Sequence, residues 1–303
     1  MSKLLLAALP LLTAAAPPTA VLRVPAAKTR LAPSGARPLG PLAVRSPKAV
    51  PPPTEDVDSC GGIFGLDFGD AAPPRVGERF EYELTMAGAY MGKLELSVGT
   101  PRKLPSGQAV PLMGRVRTNA FVSALKPVEG RYMAMIDTQS LLPLGAKVEA
   151  TIGDDPRWET IRFLEGGTKG ETRYLFRGKE AQRSYDGSHR LLEGLSLLHF
   201  ARQAPLLEGL SACQEVISTR RLWRIHATVL GKETVETPVG DKPAYRVRAS
   251  FARVRPDGKK ARGVEIDILL GDMPGRPPLA FEMRRGDVSG RARLLSWKPG
   301  KAS

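Results

Sequence analysis

The chain has 303 residues, which is long enough to bury a complete hydrophobic core in one large or two small domains. Its 45 lysines and arginines outnumber its 31 aspartates and glutamates, so the formal net charge is +14. Because this charge is spread along the chain and aromatic residues make up only 6% of it, the composition does not favour a specific nucleic-acid-binding protein.

The first sixteen residues have the pattern of an export signal. Lys3 precedes the apolar run Leu4–Leu12, and the small residues Thr13–Ala16 follow it as a cleavage region. The apolar run is too short to span a bilayer. We therefore expect residues 1–16 to act as a signal peptide that directs the chain to the periplasm or the outer envelope.

A leader separates this signal from the folded part. Residues 17–56 are rich in proline and alanine and carry scattered basic residues. Such a segment buries too little apolar surface to offset the entropy of ordering it, so it is predicted to be a disordered tether. Residues 57–74 are predicted to be an ordered lead-in to the domain.

The domain begins with short segments in which apolar residues occupy every second position. This alternation covers Phe80–Met86, Leu94–Val98 and Val110–Val116. Side chains alternate between two faces in a strand, so each segment is a predicted strand. A short helical turn is predicted at Ala120–Leu125, and further strands are predicted at 132–136, 145–152, 159–164 and 171–177.

One later segment has the period of a helix. Leu191, Leu195 and Leu198 lie at helical spacing on one apolar face. Ser188 is the predicted N-cap, and Pro205 ends the pattern. The sequence therefore predicts one amphipathic helix between Ser188 and Pro205.

Four strands of an antiparallel meander are predicted between Trp223 and Met283. Apolar and polar residues alternate there, with one dry face and one polar, basic face. One helix among many antiparallel strands predicts an all-β, mainly antiparallel fold, in the form of a strongly curved sheet or a partly open barrel with the helix against it. We expect a single domain over residues 75–298 and a tail at 299–303.

The chain has two cysteines, Cys60 and Cys213. An oxidising compartment would allow them to form a disulfide, which would tie the lead-in to the domain across a loop of about 150 residues. The alternative is two unpaired thiols.

Residues that carry chemistry are scarce and widely spaced. His189, His199 and His226 do not lie at ligand spacing from one another or from a cysteine or carboxylate, so no metal site is predicted. No Gly-x-Ser-x-Gly elbow is present, and Ser196 and Ser211 lie in or after the apolar helix. No catalytic residue and no cofactor is predicted.

Two arrangements of carboxylates resemble an acid–base site, namely Asp154 with Asp155 and the pair Glu265 and Asp267. Glu265 and Asp267 share the polar face of a predicted strand with Arg246 and Arg248 on its neighbour. We expect cross-strand ion pairs there instead of general acid–base chemistry.

Four blocks resemble a bacterial exported family, domain of unknown function 3108. They are GERFEYELTMAGAYMGKLELSVG at 77–99, the segment NAFVSALKPVEGRYMAMIDTQSLLPL at 119–144, the helix at 192–202 and the strand–turn–strand at 229–247. The resemblance covers roughly residues 75–298 and implies a periplasmic or outer-envelope domain without a known catalytic set. The plan of a curved sheet with a helix is also similar to periplasmic lipoprotein carriers, which implies an apolar, acyl-chain ligand.

Together these observations predict an exported, non-enzymatic binding or assembly module whose partners are a lipid or an envelope protein. Contact with an anionic surface, such as lipid headgroups or envelope polysaccharide, also suits the positive charge. The predicted ligand-binding residues are those that point to the concave face: Trp223, Ile225, Tyr245, Phe251, Phe281 and Met283. These residues could instead simply fill the core. The alternatives in function are a protein scaffold held by its leader and a hydrolase with an unrecognised site.

Overall fold

The structure is a computed structural model that describes residues 60, 71–105, 107–238, 240–254, 264–285 and 288–301. The predicted signal and tether, and most of the predicted lead-in, lie outside these residues. The described part contains fifteen β-strands and two α-helices. In this part of the chain neither helix is long and apolar enough to cross a membrane.

The elements follow one another in chain order. They are β1 (Arg79–Met86), β2 (Ala89–Val98), β3 (Arg102–Leu104), β4 (Gly107–Thr118), α1 (Ala120–Leu125), β5 (Val128–Asp137), β6 (Pro143–Ile152), β7 (Asp155–Leu164), a 3-10 turn (Glu165–Gly167), β8 (Lys169–Phe176), β9 (Lys179–Asp186), α2 (Gly194–Ala201), β10 (Ser211–Ser218), β11 (Arg221–Val235), β12 (Lys242–Arg253), β13 (Val264–Gly271), β14 (Pro278–Arg285) and β15 (Val288–Lys298). The short helix predicted at Ala120–Leu125 is confirmed as α1.

All fifteen strands belong to one antiparallel sheet. Its order is β10-β11-β12-β13-β14-β15-β1-β2-β4-β5-β6-β7-β8-β9, with β3 paired to β4 alone. Strands β9 and β10 are therefore the two edges, and the chain between them carries α2. The predicted all-β, mainly antiparallel fold is confirmed.

The sheet curves until its two edges come close together. Leu192, in the connection between the edge strands, forms a parallel bridge with Val216 of β10. A Cβ atom added at Gly170 of β8 would lie 2.1 Å from Cδ1 of Ile217, so the side chain of Ile217 on β10 packs directly against the backbone of β8. The sheet thus forms a strongly curved, unclosed wall around an interior.

The predicted helix is present but begins later than expected. Ser188 does not cap it, because its N–H and hydroxyl both donate to the carboxylate of Glu215, at 2.7 and 3.0 Å. The cap is Glu193, whose carboxylate accepts the N–H groups of Leu195 and Ser196. The residues just before the cap bond to the sheet, since the N–H of Leu192 donates to the carbonyl of Glu215. Tertiary pairing therefore overrides the helical spacing at the start of the segment.

One hydrophobic core lies inside the curve. Its fully buried side chains come from both halves of the sheet and from the segment around α2, for example Tyr82, Ile136, Ile217 and Phe200. Helix α2 lies against β4, β5 and β10 and fills part of the interior.

On the outward face of the meander, one of the two predicted carboxylates, Asp267, forms cross-strand ion pairs. The carboxylate of Asp267 accepts from the guanidinium groups of Arg246 and Arg248, each at 2.8 Å. Burial alone would raise the pKa of Asp267. The hydrogen bonds and positive charges of the two arginines together outweigh burial, so the pKa of Asp267 is lowered. The prediction of structural ion pairs at Asp267 is confirmed.

Alternate connections of an antiparallel sheet lie at the same end. Helix α1, the β1–β2 turn, the β6–β7 turn, the β8–β9 turn and the β10–β11 turn all share one end, which we name the α1 end. The N–H of Gly153, in the β6–β7 turn, donates to the carbonyl of Pro127 just after α1, at 2.8 Å. Strand β10, which follows α2, begins at the opposite end of the sheet and ends at the α1 end.

Candidate functional site

The six predicted ligand-binding residues all belong to the interior of the sheet. Three of them are buried in the core and three are half-buried against it. The buried residues are Ile225, Phe251 and Met283, and the half-buried residues are Trp223, Tyr245 and Phe281.

These residues form a strip along the strands and not a compact cluster. Ile225 lies directly opposite Phe251 in the β11–β12 register. Trp223 lies opposite Arg253, eight residues along β12 from Tyr245, which corresponds to about 26 Å of strand. The six residues therefore span about 26 Å along the strands and, from β11 to β14, about 15 Å across them.

The half-buried aromatics are fixed by specific contacts. The ring of Phe281 meets that of Tyr82 edge-on, with centroids 5.5 Å apart. The indole N–H of Trp223 donates to the carbonyl of Ser218 at 2.9 Å. The ammonium group of Lys232 lies 4.8 Å from the ring centre of Tyr245. Trp223 and Tyr245 thus have polar neighbours, whereas Phe281 packs against the fully buried ring of Tyr82.

A buried polar centre that the sequence did not predict lies at the start of α2. Glu193 is fully buried and accepts the hydroxyls of Tyr132 and Ser196 as well as two backbone N–H groups. Burial raises the pKa of Glu193 despite these hydrogen bonds, and burial together with Glu193 raises the pKa of Tyr132. The Ser196 hydroxyl, which donates to this carboxylate, is fully buried as well. This centre caps and positions α2.

A second buried centre holds the other end of α2. The guanidinium group of Arg202 binds the carboxylate of Glu78 through two hydrogen bonds of 2.7 and 2.8 Å. It also donates to the carbonyls of Gly275 and Arg276 and lies 5.1 Å from the ring centre of Phe80. Glu78 lies 124 residues before Arg202, so no local pattern indicates the pair.

A third centre lies at the α1 end, where β7 meets the β10–β11 turn. The carboxylate of Glu159 is buried and accepts the N–H of Arg220 at 2.7 Å. The guanidinium group of Arg220 stacks on the ring of Phe176, 3.6 Å from its centre. Arg157 and Arg177 approach the same ring, at 4.7 and 5.2 Å.

The charges in this centre are incompletely balanced. Burial lowers the pKa of Arg220. The charge of Glu159 acts in the opposite direction, and the charges of Arg157 and Arg183 lower the pKa again. Burial and the neighbouring Arg253 and Arg220 lower the pKa of Arg221. Cations that are desolvated beside other cations are stabilised by an added anion.

His199 and His226 lie on different elements, α2 and β11. His199 lies on α2, where its Nε2 is 3.2 Å from the carbonyl of Ala72, and burial and then Arg202 lower its pKa to about 4. Nε2 of His226 lies 3.7 Å from Sγ of Cys213, which is joined to Cys60 in a disulfide bond. Among the described residues no group of three histidines, cysteines or carboxylates could hold a metal ion.

Two buried groups predict opposite responses of stability to pH. Burial raises the pKa of Glu159 to about 7, against the N–H groups and guanidinium that lower it. The folded chain thus binds this proton more tightly than the unfolded chain, so the contribution of Glu159 to stability is fully present below pH 4.5 and is lost as the pH rises through 7. His199 has a lowered pKa, so its contribution is present above pH 6.5 and is lost as the pH falls through 4.

We therefore expect the stability difference between Glu159→Gln and the parent chain to move by about 3 kcal/mol in favour of the variant from pH 4 to pH 8. For His199→Gln we expect a change of similar size with the opposite sign. Urea unfolding at each pH measures both. Parallel curves for Glu159→Gln and the parent chain would contradict the assignment.

Comparison with known proteins supplies the family and the fold. The model of the family DUF3108, described as proteins of unknown function, matches residues 81–294. No curated protein matches the chain significantly. The family resemblance derived from the four sequence blocks is therefore confirmed.

Three solved structures resemble this one at low identity. A β-barrel-like protein of the domain of unknown function DUF1849 from Brucella abortus is 11% identical, with a TM-score of 0.52, and the match covers 75% of this chain and 99% of that one. A protein from Bacteroides fragilis, described as exported with a YmcC-like fold, is 13% identical over 75% and 98% of the two chains, with a TM-score of 0.34. A protein from Parabacteroides distasonis, described as a lipoprotein, is 10% identical over 75% and 97%, with a TM-score of 0.32. The first match supports the curved, barrel-like sheet.

Proposed function

The chain belongs to the DUF3108 family, and we propose that it is an exported, non-enzymatic binding module of the cell envelope. The signal pattern of residues 1–16 supports export. The disulfide between Cys60 and Cys213 supports an oxidising compartment, since such bonds are rare in the cytosol. The buried carboxylate at the start of α2 caps the helix, which favours a structural role for the polar interior.

The proposed ligand is an apolar chain, such as an acyl chain, that binds along the concave face. One observation carries this proposal. The strip of six residues runs along the strands for about 26 Å, and three of its four aromatics, Trp223, Tyr245 and Phe281, are only half-buried. An extended ligand would cover the apolar surface that these aromatics leave open.

Native mass spectrometry of the mature chain, purified from an oxidising periplasm, tests the proposal. We expect an additional lipid-sized mass that disappears after extraction with organic solvent. A bare polypeptide mass before extraction would contradict the acyl-chain proposal. The same spectrum reports the two hydrogens that the disulfide removes.

Two substitutions separate ligand contacts from core contacts. Phe251 is 7% exposed, so Phe251→Ala is expected to lower the free energy of unfolding by about 3 kcal/mol. Phe281→Ala is expected to reduce the co-purified lipid, because Phe281 is half-buried. Leu207→Ala, at an exposed apolar position outside the strip, is the control and should leave the lipid unchanged. Equal lipid content in all three variants would contradict the location of the site.

A protein scaffold is the second candidate, and edge strand β9 favours it. Nearly every residue of Lys179–Asp186 is exposed, and the strand pairs with β8 alone. An exposed edge can accept a strand from a partner. Deletion of residues 17–56 separates the two candidates, since a carrier would keep its ligand and a scaffold held by its leader would lose its position in the envelope.

A further inference from the structure

Helix α1 carries two large apolar side chains that are mostly exposed to solvent. Phe121 is 75% exposed and Leu125 is 69% exposed, while Val122 between them is buried and fixes the helix to the sheet. Phe121 and Leu125 are four residues apart and so lie on one face of α1. The side-chain amide of Asn119 donates to the carbonyl of Tyr90, which places another exposed aromatic beside the helix. An apolar group of this kind marks an interaction surface.

The same end carries arginines whose charge is poorly compensated. Arg157, Arg177 and Arg220 all lie within 5.2 Å of the ring centre of Phe176. Of these three, in the part of the chain that the structure describes, only the guanidinium group of Arg157 binds a carboxylate, that of Asp155.

The carboxylate nearest to Arg220 is largely engaged elsewhere. Glu159 accepts the backbone N–H of Arg220, so it fixes the turn in addition to attracting the side chain. Nε of the neighbouring Arg253 is buried and has no hydrogen-bond partner among the described residues. A phosphate oxygen is the type of acceptor that such guanidinium groups bind.

The backbone presents two of these arginines at the tips of hairpins. Arg177 has a φ of 53° and Arg220 a φ of 64°, in the left-handed region that non-glycine residues rarely adopt. Thr219, with a φ of 53°, makes the second turn left-handed at both central positions. Arginine therefore occupies two strained turn positions where glycine would be free of strain, and both positions are at the α1 end.

The apolar and cationic groups belong to one continuous surface. The β6–β7 turn contacts the segment after α1 through the hydrogen bond from Gly153 to Pro127, and β7 carries Arg157 to Phe176 of β8. Three strand spacings separate β5 from β8, which corresponds to about 15 Å. Aromatic and aliphatic side chains therefore project beside a group of arginines from the same end.

We propose that the α1 end docks on the surface of an anionic phospholipid bilayer. Arg177 and Arg220 bind lipid phosphates, and Phe121 and Leu125 enter the boundary between headgroups and acyl chains. The proposal rests on the envelope location of the proposed function, and it is independent of an acyl chain in the interior. It orients the sheet with its strands pointing towards the membrane, so that one end of the apolar strip, at Trp223, faces the lipid.

Vesicle co-sedimentation of the full mature chain tests this docking. We expect binding to equimolar phosphatidylglycerol–phosphatidylcholine vesicles, no binding to phosphatidylcholine alone, and weakening at high salt. The variant R177N/R220N keeps residues that tolerate the left-handed turns and removes two guanidinium groups. It is expected to weaken binding about 30-fold, at about fivefold for each charge.

A second variant and matched controls locate the surface. F121A/L125A is expected to weaken binding about tenfold, through lost apolar contact with the bilayer. The controls K103N and L207A remove an exposed cation and an exposed apolar side chain at other positions and should bind as the parent chain does.

Three results would overturn the proposal. They are no binding to the anionic vesicles at low salt, equal binding by all four variants, and binding of inorganic phosphate that R177N/R220N abolishes without any vesicle binding. The last result would identify a site for a small anion only. If native mass spectra show no lipid but the chain binds vesicles as expected, the acyl-chain proposal is contradicted and the docking proposal still holds.

Discussion

Replacement of Cys60 by serine is expected to lower the free energy of unfolding by about 5 kcal/mol. Cys60 and Cys213 are separated by 153 residues, and the bond between them closes a correspondingly long loop. A cross-link across a long loop removes many conformations from the unfolded chain and thereby raises its free energy. Both cysteines are buried, and Cys213 lies on the edge strand β10. Urea unfolding of the oxidised chain and of each variant measures the effect.

The cause can be separated from the packing of the sulfur atoms. If the cross-link is responsible, Cys60→Ser, Cys213→Ser and the double variant should be destabilised equally, and a reductant should destabilise only the parent chain. A difference of several kcal/mol between the two single variants would assign the effect to local packing instead. A loss below about 1 kcal/mol in all three would contradict a stabilising disulfide.

The alternation of apolar residues predicts most of the sheet because one face of each central strand is buried. The meander strands β11 to β14 are indicated by this period alone. Strand β9 gives no such signal, since Lys179–Asp186 is exposed on almost every residue. Strand β10 also departs from the period, since Cys213–Ile217 is buried without interruption. The alternation of apolar and polar residues therefore does not predict an edge strand whose two faces are both exposed or both buried.

The polar centres could be predicted only in part. The leucine spacing indicates the helix that follows Glu193, but glutamate is not among the residues preferred at an N-cap, so the local sequence indicates the helix and not its cap. Glu78 and Arg202 carry no such indication, because their contact depends on the way the whole sheet curves. Arg157 and Arg177 lie near Phe176 through the β7–β8 pairing and chain adjacency, but the contact of Arg220 with Phe176 likewise requires the approach of the two sheet edges. Long-range contacts of this kind are properties of the topology.

Glu78→Ala is expected to lower the free energy of unfolding by about 4 kcal/mol. The side chain of Glu78 is 2% exposed and that of Arg202 is 10% exposed, so the substitution leaves a buried guanidinium group without its counter-charge. The indole N–H of Trp297 also loses its acceptor, which is Oε1 of Glu78 at 3.3 Å. Urea unfolding of Glu78→Ala measures the loss.

An exposed ion pair provides the matched control. Arg115 and Glu129 form a 2.9 Å salt bridge with both side chains more than 40% exposed, so Glu129→Ala should cost less than about 1 kcal/mol. The double variant E78L/R202M removes both buried charges and should recover much of the loss, because no unpaired ion remains. A loss from Glu78→Ala as small as that from Glu129→Ala would contradict a buried, coupled pair.

The same pair bears on the proposed ligand, because it anchors the C-terminal end of α2. Glu193 holds the start of the helix and Glu78 holds its end through Arg202, so α2 is fixed inside the sheet at both termini. An acyl chain must therefore bind beside α2, along the strip of β11 to β14, unless the helix moves. Glu78→Ala releases one anchor, so a rise in co-purified lipid in this variant would show that α2 competes with the ligand for the interior. Unchanged lipid content, together with the expected loss of stability, would place the ligand on the strip beside a stationary helix.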